Sequence, residues 1–142
     1  MTSTSQEIEF LAFKINETMI GLDILDTQEV TKVSDITAVP RTPDYVEGIM
    51  NLRGHIVTVI NTGRKLGLKP VERKPENQVI ILFNEKEYIG LMIDEIDTVI
   101  RADSAAIGPA PGNLNGAQKN FFKGTLKTRD YLVGVLETKR YF

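Results

Sequence analysis

The sequence predicts an all-β protein made of two packed units, each a small barrel or sandwich, with only short helical turns. Short apolar runs separated by turn residues recur along the whole chain, as is typical of strands in such folds. The order of these runs is repeated in the second half. A half of about 70 residues would bury too little apolar surface to be stable by itself, which favours two units packed together.

The first half opens with three strand candidates. An apolar run at 10–13 is separated by the turn pair Asn16-Glu17 from a second run at 21–24. A third run surrounds Val30, and the chain is then interrupted at Pro40. Because proline cannot donate a backbone hydrogen bond, Pro40 predicts a loop at this point.

A β-hairpin is predicted over residues 48–61, where two apolar segments flank Arg53-Gly54. Gly54 can adopt the positive φ that a tight reversal requires, so the arginine is placed at the turn. The second arm, 56–60, consists of β-branched residues and predicts a strand buried on both faces. A single helical turn follows at 61–67, capped by Asn61 and ended by Gly67.

The polar, proline-containing stretch 68–77 is the predicted connector, and the blocks then repeat. Val30 corresponds to Val99, and a second helical turn is predicted at 103–107. The remaining matched blocks are 10–13 with 80–83, 21–24 with 90–93, 48–50 with 124–126, and 56–60 with 132–136.

Composition excludes several classes of protein. The chain has 142 residues, enough for one domain, and its 17 basic and 19 acidic residues give no electrostatic case for a nucleic-acid partner. It contains no cysteine, which excludes disulfides, thiol catalysis and zinc–thiolate sites. No apolar run reaches 18 residues and the first residues are polar, so neither a membrane span nor a signal peptide is predicted.

The residues that usually carry chemistry do not converge. His55 is the only histidine and stands at the hairpin turn, where an exposed turn residue is the simpler interpretation. Carboxylates cluster at 23–29 and again at 94–97, but neither cluster has calcium-loop spacing, and both recur at matching places in the repeat. We therefore predict no catalysis, no metal and no cofactor.

Three stretches of the chain resemble one family. Residues 48–61, GIMNLRGHIVTVIN, resemble the G-x-x-N-L-R-G-x-I-x-P-V-I-D signature of CheW, the adaptor that couples chemoreceptors to the histidine kinase CheA. Residues 9–13 (EFLAF) with 20–30 (IGLDILDTQEV), and residues 36–40 (ITAVP), are similar to the family upstream. The three stretches occur in family order, and the resemblance covers nearly the whole chain.

The resemblance implies an all-β fold of two packed, five-stranded, Src-homology-3-like β-barrel subdomains. The expected single domain is 1–142, with subdomain one at about 18–76 and subdomain two at about 77–142, completed by exchange of the N-terminal strand. The implied function is a non-enzymatic chemotaxis adaptor without cofactors. Its implied partners are the regulatory domain of a CheA-type kinase and methyl-accepting chemoreceptors. It is expected in the cytoplasm, with receptor arrays at the inner face of the membrane, without membrane insertion or nucleic acid.

Motif positions also imply the site residues. The arginine of N-L-R-G is implicated in receptor engagement, and the matching upstream acid could pair with it; the family's receptor groove lies between the barrels. For Leu11 and Ile24 ordinary core burial is an equal alternative. The candidate receptor-binding residues are Arg53, Glu29, Thr27, Val30, Ile24, Leu11 and Val99. The candidate kinase-binding residues are Asp35, Ile36, Thr37 and Val39.

The chain departs from the family pattern at several positions near the expected groove. Thr58 and Asn61 replace the usual proline and aspartate, Thr62-Gly63 stands where Leu-Arg is commoner, and Thr27 replaces an aliphatic residue. These differences bear on which receptor is bound rather than on the fold. Two alternatives stay open from sequence: a CheW-like adaptor of a non-motility chemosensory pathway, and a small ligand-binding β-barrel sensor.

Overall fold

The structure is a computed structural model that describes residues 6–110, 118, 120–138 and 142. Strands dominate the described residues, and the short α-helix α1 (Thr62–Lys65) and the 3-10 turns Ile24–Asp26 and Ser104–Ala106 interrupt them. The strands are β1 Glu7–Ile15, β2 Thr18–Asp23, β3 Glu29–Lys32, β4 Val46–Leu52, β5 His55–Asn61, β6 Gln78–Phe83, β7 Tyr88–Ile93, β8 Glu95–Asp103, β9 Ile107–Gly108, β10 Phe122–Lys127 and β11 Leu132–Leu136.

The strands form two sheets with the same plan. One sheet has the order β3-β6-β7-β5-β4, and the other has the order β8-β1-β2-β11-β10-β9. Each sheet contains two antiparallel hairpins that are joined through one pair of parallel strands. The parallel pair is β5 with β7 in the first sheet and β2 with β11 in the second. The two-residue strand β9 has its counterpart in an isolated bridge between Thr37 and Ile49. The predicted fold class and its pseudo-repeat are confirmed: the chain forms two SH3-like barrels, one with a five-stranded sheet and one with a six-stranded sheet that includes the two-residue strand β9.

Sheet membership differs from the expected subdomain boundaries. Barrel one consists of β3 to β7, so the break between barrels follows Ile93 instead of falling near residue 76. Barrel two consists of β8 to β11 and the hairpin β1–β2, so both N-terminal strands complete it instead of one. The physical reason is that each hairpin stays intact through its short turn, and its second strand then finds a parallel partner far along the chain.

The strand β1 lies between two cores because both of its faces are buried. Phe10 and Ala12 pack in the smaller cluster inside barrel two, together with Val133 and Val135. The alternate residues Leu11, Phe13 and Ile15 join the main cluster, which also contains β4 to β7 of barrel one. The main cluster therefore packs the two barrels against each other, as the period-two alternation of a strand allows.

Local signals in the sequence produce the predicted turns. The side chain of Asn61 caps α1 by accepting from the backbone N–H of Arg64, and Gly67 follows the helix with a φ of +72°. Asp103 caps the second predicted turn through the N–H of Ala105. The prediction that residues 56–60 are buried on both faces is wrong at Ile56, which is 57% exposed because it follows the hairpin turn at the end of the sheet.

Candidate functional site

The turn of the β4–β5 hairpin holds Arg53 in an unusual backbone conformation. Arg53 and Gly54 have φ values of +49° and +86°, and Leu52 pairs with His55 across the turn. Positive φ at both central residues is the signature of a type I′ turn. The Asn51 side chain accepts from the N–H of Gly54 at 3.0 Å, which fixes the turn further. The guanidinium is therefore presented from a rigid support.

Arg53 forms an ion pair with Glu29, the first residue of β3. One guanidinium N–H group donates to the Oε1 atom of Glu29, and the side chains are 68% and 32% exposed, respectively. A pair this accessible to water contributes about 0–1 kcal/mol to folding, so its main effect is to orient the arginine. Since one carboxylate occupies only part of the planar guanidinium, donors remain for an incoming acidic group.

Aromatic side chains lie beside the ion pair. His55 packs on Tyr88, and Tyr88 packs on Phe83, each with ring centroids 4.8 Å apart. Arg53, Glu29, His55 and Tyr88 together line a cleft of about 410 Å³. Sequence reasoning missed this aromatic row because the parallel pairing of β5 with β7 brings residues 55 and 88 together.

Three of the sequence-predicted receptor residues follow β2 and enter β3. Ile24 is the first residue of the 3-10 turn and Thr27 caps its end, where the backbone N–H of Thr27 donates to the Ile24 carbonyl at 3.1 Å. Val30 is half-buried and packs against the main cluster. The Thr27 hydroxyl is buried without a hydrogen-bond partner among the described residues. This hydroxyl lies where the resembling family has an aliphatic side chain.

Leu11 and Val99 are direct cross-strand partners with opposite exposure. Leu11 on β1 is 7% exposed and belongs to the main cluster, whereas Val99 on the edge strand β8 is 44% exposed. Val30 lies on β3, the edge strand at the corresponding place in barrel one. Of the two alternatives for Leu11, the structure favours core burial.

The candidate kinase-binding residues lie in the loop between β3 and β4. Ile36 packs against the main cluster, and Thr37 exchanges backbone hydrogen bonds of 2.8 and 2.9 Å with Ile49. Asp35 and Val39 face solvent. The backbone of this loop is thus fixed at Thr37, and the side chains on either side, Asp35 and Val39, are exposed.

A second cleft, of about 430 Å³, lies next to the 3-10 turn 24–26. Exposed Leu25 and Phe83 line it together with Leu82, Thr138 and Phe142. Leu25 precedes the predicted Thr27 and Glu29, but no periodic pattern in the sequence distinguishes it from a core leucine. Its exposure results from the 3-10 turn, which takes the chain out of the strand geometry.

The β10–β11 hairpin of barrel two also has an arginine at its turn, but the polar contact beside it is a tyrosine–aspartate hydrogen bond instead of an ion pair. Arg129 is exposed at the β10–β11 turn, and Tyr131 Oη donates to Asp97 Oδ2 at 3.2 Å. Partial burial, this hydrogen bond and the neighbouring carboxylates of Asp97 and Asp130 raise the pKa of Tyr131 above its ordinary value.

No helix within the described ranges has the length and apolarity needed to cross a bilayer.

Comparison with known proteins places these features in a family. The sequence model of the CheW-like domain family matches residues 9–142 of this chain. Chemotaxis protein CheW of Thermotoga maritima is 34% identical over 132 residues, covering 93% of this chain and 85% of that protein. Chemotaxis protein CheW of Helicobacter pylori is 30% identical over 132 residues, covering 93% and 79%.

A solved structure agrees in both fold and sequence. The crystal structure of scaffolding protein TtCheW from Thermoanaerobacter tengcongensis superposes with a TM-score of 0.85 at 31% identity, covering 96% of this chain and 88% of that one. With two SH3-like barrels, a paired arginine at the hairpin turn and a family match over almost its full length, the chain belongs to the CheW family of non-enzymatic chemotaxis scaffold proteins.

Proposed function

We propose that the chain couples the cytoplasmic tips of chemoreceptors to a CheA-type histidine kinase, in receptor arrays at the inner face of the membrane. The observation that carries this proposal is the Arg53–Glu29 pair, which holds an exposed guanidinium at a rigid turn beside half-buried apolar side chains. Apolar contacts supply most of the affinity of such interfaces, and charges set the register.

The receptor contact is assigned to the surface around the edge strands β3 and β8, where the resemblance leads us to expect the receptor groove. Val30 and Val99 provide apolar surface, with Ile24 and Thr27 at the entrance to β3. Leu11 lies beside Val99 on the same face of the sheet, because directly paired residues of antiparallel strands share a face, and it packs in the adjoining core. An amphipathic receptor helix fits this chemistry, with an acidic residue placed to reach Arg53.

The kinase contact is assigned to the loop after β3, through Asp35, Ile36, Thr37 and Val39. The bridge between Thr37 and Ile49 fixes the loop to barrel one, so a partner binds a preformed surface. The partner is the regulatory domain of the kinase. No bond is made or broken on the scaffold, which acts by holding two proteins in a fixed relative geometry.

Pull-down with a receptor cytoplasmic fragment and, separately, with a CheA regulatory domain tests the proposal. Arg53→Glu should weaken receptor binding at least about tenfold, because it places a carboxylate beside Glu29 and removes the cation. The matched control is Arg129→Glu at the corresponding exposed turn of barrel two, which should leave receptor binding unchanged. If the folded wild-type chain binds neither partner, the proposed function is wrong.

A further inference from the structure

The ammonium group of Lys65, the last residue of α1, lies among three aromatic rings. Its Nζ atom is 4.1 Å from the ring centroid of Tyr45, 5.8 Å from that of Phe121 and 6.0 Å from that of Phe142. A cation over aromatic faces at these distances is attracted by the ring quadrupoles. We call these four residues the Lys65 cage.

The cage joins the two barrels. Lys65 and Tyr45 belong to the segments around β4 and β5 of barrel one, whereas Phe121 precedes β10 and Phe142 follows β11 of barrel two. The rings of Phe121 and Phe142 also contact each other, with centroids 6.0 Å apart. A single cation therefore makes contacts with rings from both halves of the molecule.

Hydrogen bonds next to the cage connect the same segments. The side-chain amide of Gln118 donates to the carbonyls of Leu66 and Gly67, at 3.3 and 3.0 Å, directly after α1. The N–H of Glu137 donates to the carbonyl of Phe121 at 2.7 Å. The end of α1 is thus bonded to Gln118, and Glu137 after β11 is bonded to Phe121 of the cage.

The segment after β11 also forms a wall of the 430 Å³ cleft. The Thr138 hydroxyl donates to Asp26 Oδ2 at 3.0 Å, and Phe142 lines the cleft together with exposed Leu25. The N–H of Phe142 donates to the carbonyl of Thr138 at 3.3 Å. Whatever holds Phe142 in place therefore also sets the shape of this cleft.

We propose that Lys65 is a positioning residue, whose ammonium holds barrel two against barrel one and keeps Phe142 at the edge of the cleft. A neutral side chain of similar length would fill the same space without attracting the rings. The inference goes beyond the proposed function, because no residue of the Lys65 cage is among those assigned to receptor or kinase contact. A scaffold that holds two partners in a fixed geometry requires its own halves to be held rigidly.

Amide hydrogen exchange of Glu137 and Phe142 tests this role in the full chain. Lys65→Met should speed exchange at both amides about twofold to fivefold, the loss expected for a partly exposed cation–π contact. Lys65→Arg, which keeps the cation, should restore wild-type exchange. Arg64→Met removes the neighbouring exposed cation of the same turn and should change neither amide. The buried amide of Val59 in barrel one reports whole-molecule unfolding and should exchange far more slowly than Glu137 and Phe142 in every variant, which shows that these two amides exchange by local opening.

A second variant keeps the proposal testable if Lys65→Met does not fold. Phe142→Leu retains apolar volume but removes one ring, and it should speed exchange at Glu137 as Lys65→Met does. Where Lys65→Met folds, the double variant should speed exchange by less than the product of the two single effects, because both changes remove the contact between Lys65 and Phe142. Wild-type exchange in Lys65→Met, fast exchange in Lys65→Arg, or additive effects of the two changes would each overturn the proposal.

Discussion

The side chain of Asn61 hydrogen-bonds to both backbone polar groups of Val71, ten residues further along the chain. Its Oδ1 atom accepts from the N–H of Val71 at 2.9 Å, and its Nδ2 atom donates to the carbonyl of Val71 at 3.0 Å. The same Nδ2 atom donates to Glu47 Oε1 at 2.8 Å. Asn61 therefore ties the connector after α1 to β4 and β5, at a position where the family usually has aspartate.

The first prediction concerns Asn61→Asp. The new carboxylate would face Glu47 and the Val71 carbonyl, two acceptors that now receive hydrogen bonds, so we expect a loss of about 1–3 kcal/mol in the free energy of unfolding at pH 7. Chemical denaturation measures this loss. Adding Glu47→Gln should recover part of it, because an amide can donate to the carboxylate. Wild-type stability of Asn61→Asp would contradict the hydrogen-bond assignment.

The second prediction concerns the backbone conformation of Arg53. Asn tolerates positive φ better than Arg, so Arg53→Asn should stabilise the type I′ turn while losing the exposed ion pair. The net change in unfolding free energy should be within about 1 kcal/mol, because the two small effects oppose each other. Receptor binding should fall although stability is kept. A stability loss well above that range would show that the ion pair supports the fold.

The third prediction concerns Gly48 and Gly124, which occupy corresponding bulges in the two hairpins. A Cβ atom at Gly48 would lie 2.2 Å from the Thr37 carbonyl oxygen, and one at Gly124 would lie 2.2 Å from the Gly108 carbonyl oxygen. Alanine at either position should cost more than about 2 kcal/mol, since backbone must move. Gly54→Ala is the control: it has open space and only a positive φ, so about 1 kcal/mol is expected. Equal losses in all three variants would argue against the close approach.

The fourth prediction separates the core from the groove. Leu11→Ala should lower the free energy of unfolding by about 2–5 kcal/mol, because it empties space in the main cluster. Val99→Ala should change it by less than about 0.5 kcal/mol and should weaken receptor binding instead. Thermal denaturation and receptor pull-down distinguish the two. Similar stability losses would place both side chains in one core.

The fifth prediction concerns alkaline pH. Because the pKa of Tyr131 is raised in the folded chain, the neutral phenol is favoured by folding. Its contribution to stability is complete below the ordinary tyrosine pKa of about 10 and is lost as the pH rises through the raised value. Absorbance titration should show a late-ionising tyrosine that disappears in Tyr131→Phe and titrates earlier in Asp97→Asn. Unchanged titration in Asp97→Asn would exclude the Asp97 contribution.

Much of the fold could be predicted from the sequence where the cause is local. The turn at Arg53-Gly54 and the helix cap at Asn61 depend on neighbours in the chain, and the structure has both. The repeat could also be recognised, because each half uses the same residue types in the same order. The exposure of Ile56 could not, since composition does not show which strand residue ends at the rim of a sheet.

Only part of the candidate site could be predicted from the sequence, for the same physical reason. The family motifs indicate that Arg53 and Glu29 could pair, and the structure contains this ion pair. The contacts of His55 with Tyr88 and of Lys65 with Phe142 depend on parallel strand pairing and on barrel packing, which no local pattern encodes. The sequence-based subdomain boundary near residue 76 differs from the sheet boundary for this reason too.

The interleaved strands have a consequence for dividing the molecule. A cut in the connector before β6 would leave the N-terminal piece with β1 and β2 for one sheet and β3 to β5 for the other, and the C-terminal piece with the complementary strands. Neither piece contains all the strands that form either hydrophobic core, so each should remain unfolded when produced separately. Mixed together, they should reassemble into a non-covalent heterodimer with the native topology, and an intact chain should melt in one cooperative step.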